Sequence, residues 1–501
     1  MSHVGPVRKA ADLIGGNWLP IPGDALQSRD PAAPDRVVWS GSPHVKHVHQ
    51  AIQAARDAFP AWRGSAINDR ADALRRFAQV SVRHAERLAC TITAEMGKTL
   101  AESRAEAKLL QDKVEITLEP ATLSRVASVE VAVAPGKRGT CQFRPHGVMA
   151  VVGPFNFPAH LPNGHWIPAL LLGNTIVFKP SDRTPATGQI LGEIAVEAGL
   201  PPGVFNVVQG GVDVASALVA HDDIDGILFT GSFAVGRRIL EANLDRPGRM
   251  IALEMGGSNA AIVWKDADLR RAVIECARSA FVTTGQRCTC TRRIIVHASI
   301  AERFATALCK VASTLVVGAG TDPEPIFMGP LATHAAREAV FQRQSALASA
   351  GGRVLLEAAR FDRAGWFAGP GVIQVDRFNR ETDCETFGPL VQMCVVESLD
   401  EAIQQSNETN FGLVASVFTK DDRVWQACFD GLRVGCLNHN TGTAGASSRL
   451  PFGGLGRSGN LRPAGSLAID SAAFPLSGMH DATPSTAAVP GMRVEDHWFT
   501  A

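Results

Sequence analysis

The residues best suited to chemistry lie in the segment from Phe281 to Arg293, FVTTGQRCTCTRR, which contains Cys288. The thiolate is the reactive form of cysteine, and the positive charge of Arg287 beside it would favour that form. Gly285 permits tight backbone geometry just before the thiol. Most cysteines in such a chain are small core hydrophobes, so this segment alone leaves both a nucleophile and a structural cysteine open.

Neither the cysteines nor the charge balance indicates a metal, a nucleic acid or a membrane. Cys288 and Cys290 lack the CxxC spacing of a zinc site, and no second Cys or His pair accompanies them. Lysine and arginine total 49, as do aspartate and glutamate, so no basic excess exists to neutralise phosphates. The N-terminal MSHVGPVRKAADLIGG lacks a long apolar core, and the ten cysteines show no disulfide framework. We therefore expect a cytoplasmic, multidomain protein without a metal.

The Cys288 segment lies between a predicted helix and a predicted strand. Asp266 and Asp268 are capping candidates ahead of DLRRAVIECARSAFV, whose apolar residues recur at helical spacing. The β-branched run RRIIVHASI follows and favours a strand. Cys288 is therefore expected on a helix-to-strand loop.

Strand and helix patterns alternate from Gly147 onward, which predicts a parallel sheet with helices on its faces. The predicted strands are VMAVVG, NTIVFKP, GVFNVVQG and DGILFTG, and helical patterns separate them. Ligands bind at the carboxyl ends of such strands. Asn156 follows the first strand, and Lys179 and Asp182 follow the second, so these side chains are candidates for a site at that edge.

Two further strand ends carry polar features. The turn from Gly231 to Gly236 leads into a helix, and N–H groups at a helix N-terminus can bind a phosphate. The turn is neither a GxGxxG fingerprint nor a P-loop, so its spacing leaves dinucleotide binding open. Glu254 ends the strand RMIALE, where it is either a salt-bridge partner or a functional carboxylate. Apolar surroundings would raise the pKa of its carboxyl toward the range of a general base.

The rest of the chain predicts helices before this sheet and a second α/β region after it. Helical patterns run over 47–62, 68–97 and 104–116, and SVEVAVA with GTCQFRP predicts a hairpin. The second region, 294–437, contains further helical and strand patterns and a polar loop around Glu385. The tail SLAIDSAAFPLS is β-like and could join the hairpin in an arm that pairs with another subunit.

Six short motifs spread over nearly the whole chain share their order and spacing with one protein family. They are PFNFP, FKPSDRTP, FTGS, LEMGG, GQRC and ETFGP. Together they resemble the NAD(P)-dependent aldehyde dehydrogenase superfamily. The resemblance implies an α/β fold with a Rossmann-type NAD-binding domain (1–122 and 146–255), an α/β catalytic domain (256–445) and a β-hairpin oligomerisation arm (123–145 and 466–490).

The resemblance also implies a role for each candidate residue. Cys288 would attack an aldehyde carbonyl, and the Asn156 amide with the Cys288 backbone N–H would hold the oxyanion. Glu254 would activate the water that hydrolyses the resulting thioester. NAD is the implied cofactor, because an acidic group at Asp182 would repel a 2′-phosphate. The implied cofactor-binding residues are Lys179, Asp182, Gly231, Ser232, Phe233, Ala234, Val235, Gly236 and Glu385.

Within the superfamily, RPHGV, NFPAHLPNGH, FVTTGQRCTC and LPFGGLGRSGN are most similar to members that oxidise N-succinylglutamate 5-semialdehyde in arginine breakdown. That substrate carries two carboxylates, so cationic or hydrogen-bonding side chains are expected around it. The candidates are His160, Asn163, His165, Arg287, His439 and Arg449. The alternatives are a dehydrogenase of succinic or glutamic semialdehyde, an acylating enzyme that uses coenzyme A, and a catalytically silent NAD-binding protein. A homodimer or homotetramer is the expected assembly.

Overall fold

The computed structural model describes residues 9–482 and 484–500. Residues 1–8 of the predicted domain 1–122, and Thr483 of the predicted arm 466–490, lie outside the described residues. The chain opens with strands that the sequence patterns did not predict: β1 Ala11–Ile14, β2 Asn17–Pro20, β3 Leu26–Asp30 and β4 Ala33–Gly41. Five helices follow: α1 Lys46–Gly64, α2 Ile67–Arg83, α3 Ala85–Met96, α4 Leu100–Thr117 and the short α5 Pro120–Leu123.

The break between α2 and α3 corrects the prediction of one helix over 68–97. At His84 the backbone leaves helical geometry, with φ −92° and ψ 1°. The His84 ring is hydrogen-bonded to Glu197 at 2.6 Å, which fixes the bend against a neighbouring helix. No proline or glycine lies at this position, so the helical pattern of the sequence continues across the break.

A hairpin, β5 Val129–Ala134 and β6 Lys137–Pro145, precedes the first large sheet. The alternating elements that follow are, as predicted, strands and helices: β7 Val148–Val152, α6 His160–Leu171, β8 Thr175–Lys179, α7 Pro185–Glu197, β9 Phe205–Val207, α8 Val212–Ala220, β10 Gly226–Thr230, α9 Phe233–Glu241 and β11 Met250–Glu254.

The first sheet has the strand order β11-β10-β7-β8-β9-β1-β2, with β7 to β11 parallel. Apolar residues of α2, α3, α4, α6 and α7 cover one face, and those of α1 and α8 cover the other. Burial on both faces explains why these strands are continuous apolar runs. The carboxyl ends of β7, β8, β10 and β11 therefore share one edge.

The second sheet has the order β14-β15-β16-β13-β12-β18-β19. The elements of this part of the chain, in order, are β12 Asn259–Val263, α10 Leu269–Phe281, β13 Thr291–His297, α11 Ala298–Ser313, α12 His334–Ser349, β14 Arg353–Leu356, β15 Gly371–Gln374, β16 Leu390–Val396, α13 Leu399–Asn407, the short β17 Phe411–Gly412, β18 Val414–Phe418, α14 Asp422–Gly431 and β19 Cys436–His439. Strand β17 lies outside this sheet. The consecutive strands β11 and β12 belong to different sheets, so residues 255–258 cross from one sheet to the other.

The C-terminal part returns to the rest of the fold. It contains β20 Pro451–Phe452, β21 Leu455–Gly456, β22 Ala464–Gly465 and β23 Ala473–Asp481. Strand β23 pairs antiparallel with β6 along its whole length, which confirms that the β-like tail joins the hairpin. No described helix has the length and apolar character needed to span a bilayer.

Candidate active site

One cleft of about 690 Å³ lies at the carboxyl edge of the first sheet and opens onto the Cys288 loop of the second. Its walls contain most of the residues predicted from the sequence. These are Asn156, Lys179, Asp182, Gly231, Ser232, Val235, Glu254, Cys288 and Glu385. The convergence follows from the topology, because neighbouring parallel strands end at the same edge.

The loop before Cys288 has an unusual backbone. After α10 the chain enters the left-handed region at Thr283 (φ 54°), Thr284 (φ 56°) and Gly285 (φ 71°). Threonine is rarely found in this region because its Cβ crowds the following carbonyl. Side-chain hydrogen bonds hold the turn: Thr283 Oγ1 donates to Glu102 at 2.5 Å and Thr284 Oγ1 to the Gly329 carbonyl at 2.8 Å. Cys288 thus lies on the predicted helix-to-strand loop, but in a conformation that the sequence did not indicate.

Asn259 fixes the backbone of the nucleophile candidate. Its Nδ2 donates to the carbonyls of Cys288 at 2.7 Å and Cys290 at 2.8 Å, and its Oδ1 accepts from Val414 N at 3.2 Å. A Cβ on Gly257 would lie 2.8 Å from the Cys288 oxygen, so only glycine lets the crossing segment approach so closely. Sequence reasoning missed Asn259, whose one signal is its place at the end of LEMGGSN.

The Cys288 thiol is partly open to the cleft, and its surroundings disfavour the thiolate. Burial, with the nearby carboxylates of Glu385 and Glu254, raises its pKa to about 12, while Arg292 opposes the shift. The positive charge that opposes this pKa shift is that of Arg292, whereas the sequence suggested Arg287.

Arg287 is held elsewhere. Its guanidinium donates to Thr283 Oγ1 at 2.7 Å, pairs with Glu102 at 3.0 Å and lies 5.1 Å from the centre of the Phe157 ring. Arg287 therefore supports the left-handed turn from outside the cleft.

Asn156 follows β7 and contacts the loop that carries Cys288, and the backbone N–H of Cys288 belongs to that loop. Asn156 is 5% exposed, and its Nδ2 donates to the Gln286 carbonyl at 3.0 Å. Within the described residues, the backbone N–H of Cys288 has no acceptor. Asn156 and Cys288 line the same cleft, and an amide and a backbone N–H are the kinds of donor that an oxyanion site uses.

Glu254 is a buried carboxylate with one oxygen unused. Oε1 accepts from Ala464 N at 3.2 Å, whereas the buried Oε2 has no hydrogen-bond partner within the described residues. Burial raises the pKa of Glu254 well above its usual value, and the Ala464 N–H opposes this only in part. A desolvated carboxyl of raised pKa in a cleft has the properties of a general base.

The other end of the cleft offers groups for a nucleotide. Lys179 is buried, donates to the Pro180 carbonyl at 2.8 Å and has its pKa lowered by burial to about 8, with Asp182 opposing. Asp182 is exposed and accepts from Ser181 Oγ at 3.3 Å. Glu385 accepts from Gly257 N at 3.1 Å, and burial raises its pKa.

The predicted phosphate turn contributes only part of its residues to the cleft. Ser232 caps α9 by accepting from Val235 N at 3.4 Å, and Gly231, Ser232 and Val235 line the cleft. Phe233, Ala234 and Gly236 do not line it. Phe233 packs under Arg457, with 5.0 Å between guanidinium and ring centre. A Cβ on Gly236 would lie 2.4 Å from the Met255 sulfur, so that glycine serves packing.

The substrate candidates separate into two groups. His160 and His165 line the cleft, and burial with the nearby Lys113 charge lowers the pKa of each to about 4. Asn163, Arg287, His439 and Arg449 do not line it.

Contacts elsewhere in the fold explain why the second group of substrate candidates does not line the cleft. Asn163 donates to the Leu110 carbonyl, His439 stacks on Trp425 with 4.5 Å between ring centres, and Arg449 pairs with Glu119 at 2.9 Å. Lys113, which does line the cleft, was missed because its helix predicts packing only. In the described part of the chain, no group of three or more His, Cys, Asp or Glu is placed to hold a metal ion.

Comparison with known proteins gives this geometry a context. The model of the aldehyde dehydrogenase family matches residues 18–473. The chain belongs to the aldehyde dehydrogenase family. It is 40% identical over 468 residues to a protein of Novosphingobium aromaticivorans named N-succinylglutamate 5-semialdehyde dehydrogenase, covering 93% of this chain and 98% of that one. A protein of the same name from Paraburkholderia xenovorans is 41% identical, covering 94% of this chain and 96% of the other.

Solved aldehyde dehydrogenase structures show the same fold. An E. coli protein described as an NADP dependent enzyme superposes with a TM-score of 0.89 at 32% identity, over 94% of this chain and 98% of that chain. Betaine aldehyde dehydrogenase from Staphylococcus aureus, in complex with NAD+, gives a TM-score of 0.90 at 27% identity, over 97% of both chains. The α/β aldehyde dehydrogenase fold expected from the sequence is confirmed.

Proposed function

We propose that this protein oxidises N-succinylglutamate 5-semialdehyde to N-succinylglutamate with NAD. The observation that carries the proposal is the single cleft in which Cys288, Asn156 and Glu254 meet. The names of the relatives that are 40–41% identical support the substrate.

In the proposed mechanism the Cys288 thiol loses its proton to solvent water, and the resulting thiolate attacks the aldehyde carbon. The Asn156 amide leaves the Gln286 carbonyl and, with the Cys288 N–H, donates to the oxyanion that forms. When bound, NAD supplies the hydride acceptor. Glu254 then takes a proton from a water through its free Oε2, and this water hydrolyses the thioester on Cys288.

The residues at the far end of the cleft fit a nicotinamide dinucleotide. The cleft combines a buried ammonium at Lys179, an exposed carboxylate at Asp182 and the N-terminus of α9 capped by Ser232. We propose that Lys179 and Asp182 bind the adenosine ribose, Ser232 and its neighbours face the pyrophosphate, and Glu385 binds the nicotinamide ribose. The preference for NAD over NADP rests on the charge of Asp182.

An aldehyde panel tests the function. N-succinylglutamate 5-semialdehyde, succinic semialdehyde, glutamic semialdehyde and pentanal are assayed for reduced cofactor with NAD and with NADP, without coenzyme A. The proposal requires the highest kcat/KM for the succinylated substrate with NAD. A higher value for another aldehyde, or a dependence on coenzyme A, would reject it. Cys288→Ala must abolish the activity, which separates an enzyme from a silent NAD-binding protein.

We also propose that the arm of residues 123–145 and 466–490 joins subunits into a dimer or tetramer. Strand β5 is the outer strand of its sheet, and Val129, Val131 and Val133 are each 52–53% exposed. Light scattering of Val131→Glu against the unchanged protein tests this, because a charge on that face disfavours association. The domain boundaries at 122, 146, 255 and 445 and a cytoplasmic location stay predictions.

A further inference from the structure

Lys113 is a buried cation to which the described residues offer no carboxylate partner. Its side chain extends from α4, is 4% exposed overall, and its Nζ donates to the Gly465 carbonyl at 2.8 Å. Within the described residues, no Asp or Glu forms an ion pair with it. Lys98, which is equally buried, differs in this respect, because its Nζ lies 2.6 Å from Glu106. Burial of an ammonium without a counter-charge costs free energy, so the position of Lys113 suggests that a ligand supplies the counter-charge.

The Lys113 ammonium lies on one wall of the active-site cleft, together with His160, Gly164 and His165 of α6. We call these four residues the α4–α6 wall. Burial and the Lys113 charge lower the pKa of both histidines to about 4, so near neutral pH they are uncharged. Lys113, with a pKa lowered by burial to about 8, stays largely protonated there. The wall therefore presents one positive charge.

This wall also has free space and an unused polar atom. A Cβ on Gly164 would meet nothing within 4 Å, so the cleft extends to the α6 backbone. His160 Nδ1 is buried and has no hydrogen-bond partner within the described residues. A cation, an unpartnered ring nitrogen and open volume together fit a polar, anionic group of a ligand.

The wall is connected directly to the proposed base. Gly465 O accepts from Lys113, and the preceding residue, Ala464, donates its N–H to Glu254 Oε1 at 3.2 Å. Two adjacent residues of β22 therefore hold the cation and the base. An anion bound at Lys113 is therefore linked through β22 to the carboxylate proposed as the base.

We propose that Lys113 binds a carboxylate of the aldehyde substrate and sets the preference for an anionic semialdehyde over an uncharged aldehyde. The inference rests on the proposed function. The substrate carboxylate would supply the counter-charge that the described residues do not provide, which makes binding of an anionic aldehyde favourable and leaves an uncharged one without a partner for the ammonium.

Kinetics of Lys113→Met test the inference, with Lys108→Met as the control. Lys108 lies on the same helix, has a side chain 73% exposed and pairs with Asp112. For Lys113→Met, we expect kcat/KM with N-succinylglutamate 5-semialdehyde to fall roughly 10- to 100-fold, mainly through KM, as for loss of one charged hydrogen bond. Pentanal should change less than about 3-fold, and Lys108→Met should match the unchanged enzyme on both substrates. Equal losses on both aldehydes, or none, would overturn the inference.

Thermal unfolding gives a readout that does not depend on turnover. The tricarboxylic product, N-succinylglutamate, should raise the Tm of the unchanged protein and of Lys108→Met, because it binds the folded state. It should not raise the Tm of Lys113→Met, which in the free state should be at least as stable as the parent because it lacks a buried charge. An equal shift in all three proteins would contradict the assignment.

The two proposals fail in different ways. If the unchanged enzyme prefers another anionic aldehyde, the proposed substrate is wrong, and the Lys113 test is read on that aldehyde against pentanal. If the unchanged enzyme prefers the succinylated substrate and Lys113→Met keeps that preference, only the inference fails. If the unchanged enzyme does not prefer anionic aldehydes at all, both are rejected.

Discussion

Replacement of Gly285 by alanine should damage both the stability and the chemistry of this enzyme. Gly285 has φ +71°, and an added Cβ would lie 2.1 Å from the Gly388 oxygen and 2.3 Å from its carbonyl carbon. Ordinary contact begins at 3.4 Å, so the two segments would have to separate by more than 1 Å. Because both partners are backbone, no side-chain rotation can relieve the contact.

The expected loss of stability in Gly285→Ala has two causes. A non-glycine residue in the left-handed region costs about 1–2 kcal/mol, and forcing apart packed segments costs about 1–3 kcal/mol. Gly351→Ala is the matched control, because Gly351 also has positive φ (+96°) but its Cβ would meet nothing within 4 Å. We therefore expect the free energy of unfolding to fall by about 2–5 kcal/mol in Gly285→Ala. In the control it should fall only by the cost of the left-handed conformation, about 1–2 kcal/mol.

The catalytic effect follows from what the two segments carry. Cys288 lies three residues after Gly285, and Glu385 lies three residues before Gly388, so their separation moves the nucleophile and a proposed cofactor contact. A displacement near 1 Å costs about 10²-fold in rate. The assay compares kcat, KM for NAD and the midpoint of thermal unfolding for both variants. Wild-type kcat in Gly285→Ala, or equal stability losses in both variants, would refute the reasoning.

Three further outcomes are expected. Glu254→Gln should release about one equivalent of reduced cofactor per site in a rapid burst and then turn over about 10²- to 10⁴-fold more slowly, because only hydrolysis needs the free Oε2. Stopped-flow absorbance measures the burst. Absence of a burst would mean that Glu254 acts in a step before the thioester forms. Glu385→Gln should lower the pKa of the Cys288 thiol and speed its alkylation by iodoacetamide at pH 8, and slower alkylation would contradict the charge assignment. Finally, the free energy of unfolding should decrease as the pH falls from 6.5 toward 4, because the unfolded chain takes up protons that buried His160 and His165 resist. The urea midpoint of His160→Gln should change less over this pH range than that of the unchanged protein. The same pH dependence of the midpoint in both proteins would contradict the role of His160.

The position of the site could be predicted from the sequence because it depends on topology. Strand signals before Asn156, Lys179 and Glu254 are local, and parallel strands must end together, so these side chains meet without any knowledge of packing. The thiol of Cys288 follows a helix signal and precedes a strand signal, which places its loop equally well. The motifs of the family then gave these positions their proposed roles.

Features that depend on distant partners could not be predicted. Arg287 looks like a neighbour of the thiol in sequence, but its partner Glu102 is 185 residues away, and that pairing decides where the guanidinium lies. Lys113 has the pattern of any charged residue on an amphipathic helix. Only the depth of the cleft beside α6 shows that its ammonium is enclosed. The strands β1 and β2 have four residues each, too few for a periodic pattern to appear.

The crossing segment between the two sheets has a genetic consequence. Residues 255–258 follow Glu254 directly, Gly257 N holds Glu385, and Gly257 packs against the Cys288 carbonyl. A Cβ on Gly256 would overlap the Glu385 carboxylate as well. A single amino-acid change here therefore acts on base, cofactor contact and nucleophile at the same time. Such a mutation should impair all three functions together, so a second mutation at the base, the cofactor contact or the nucleophile alone should not restore activity.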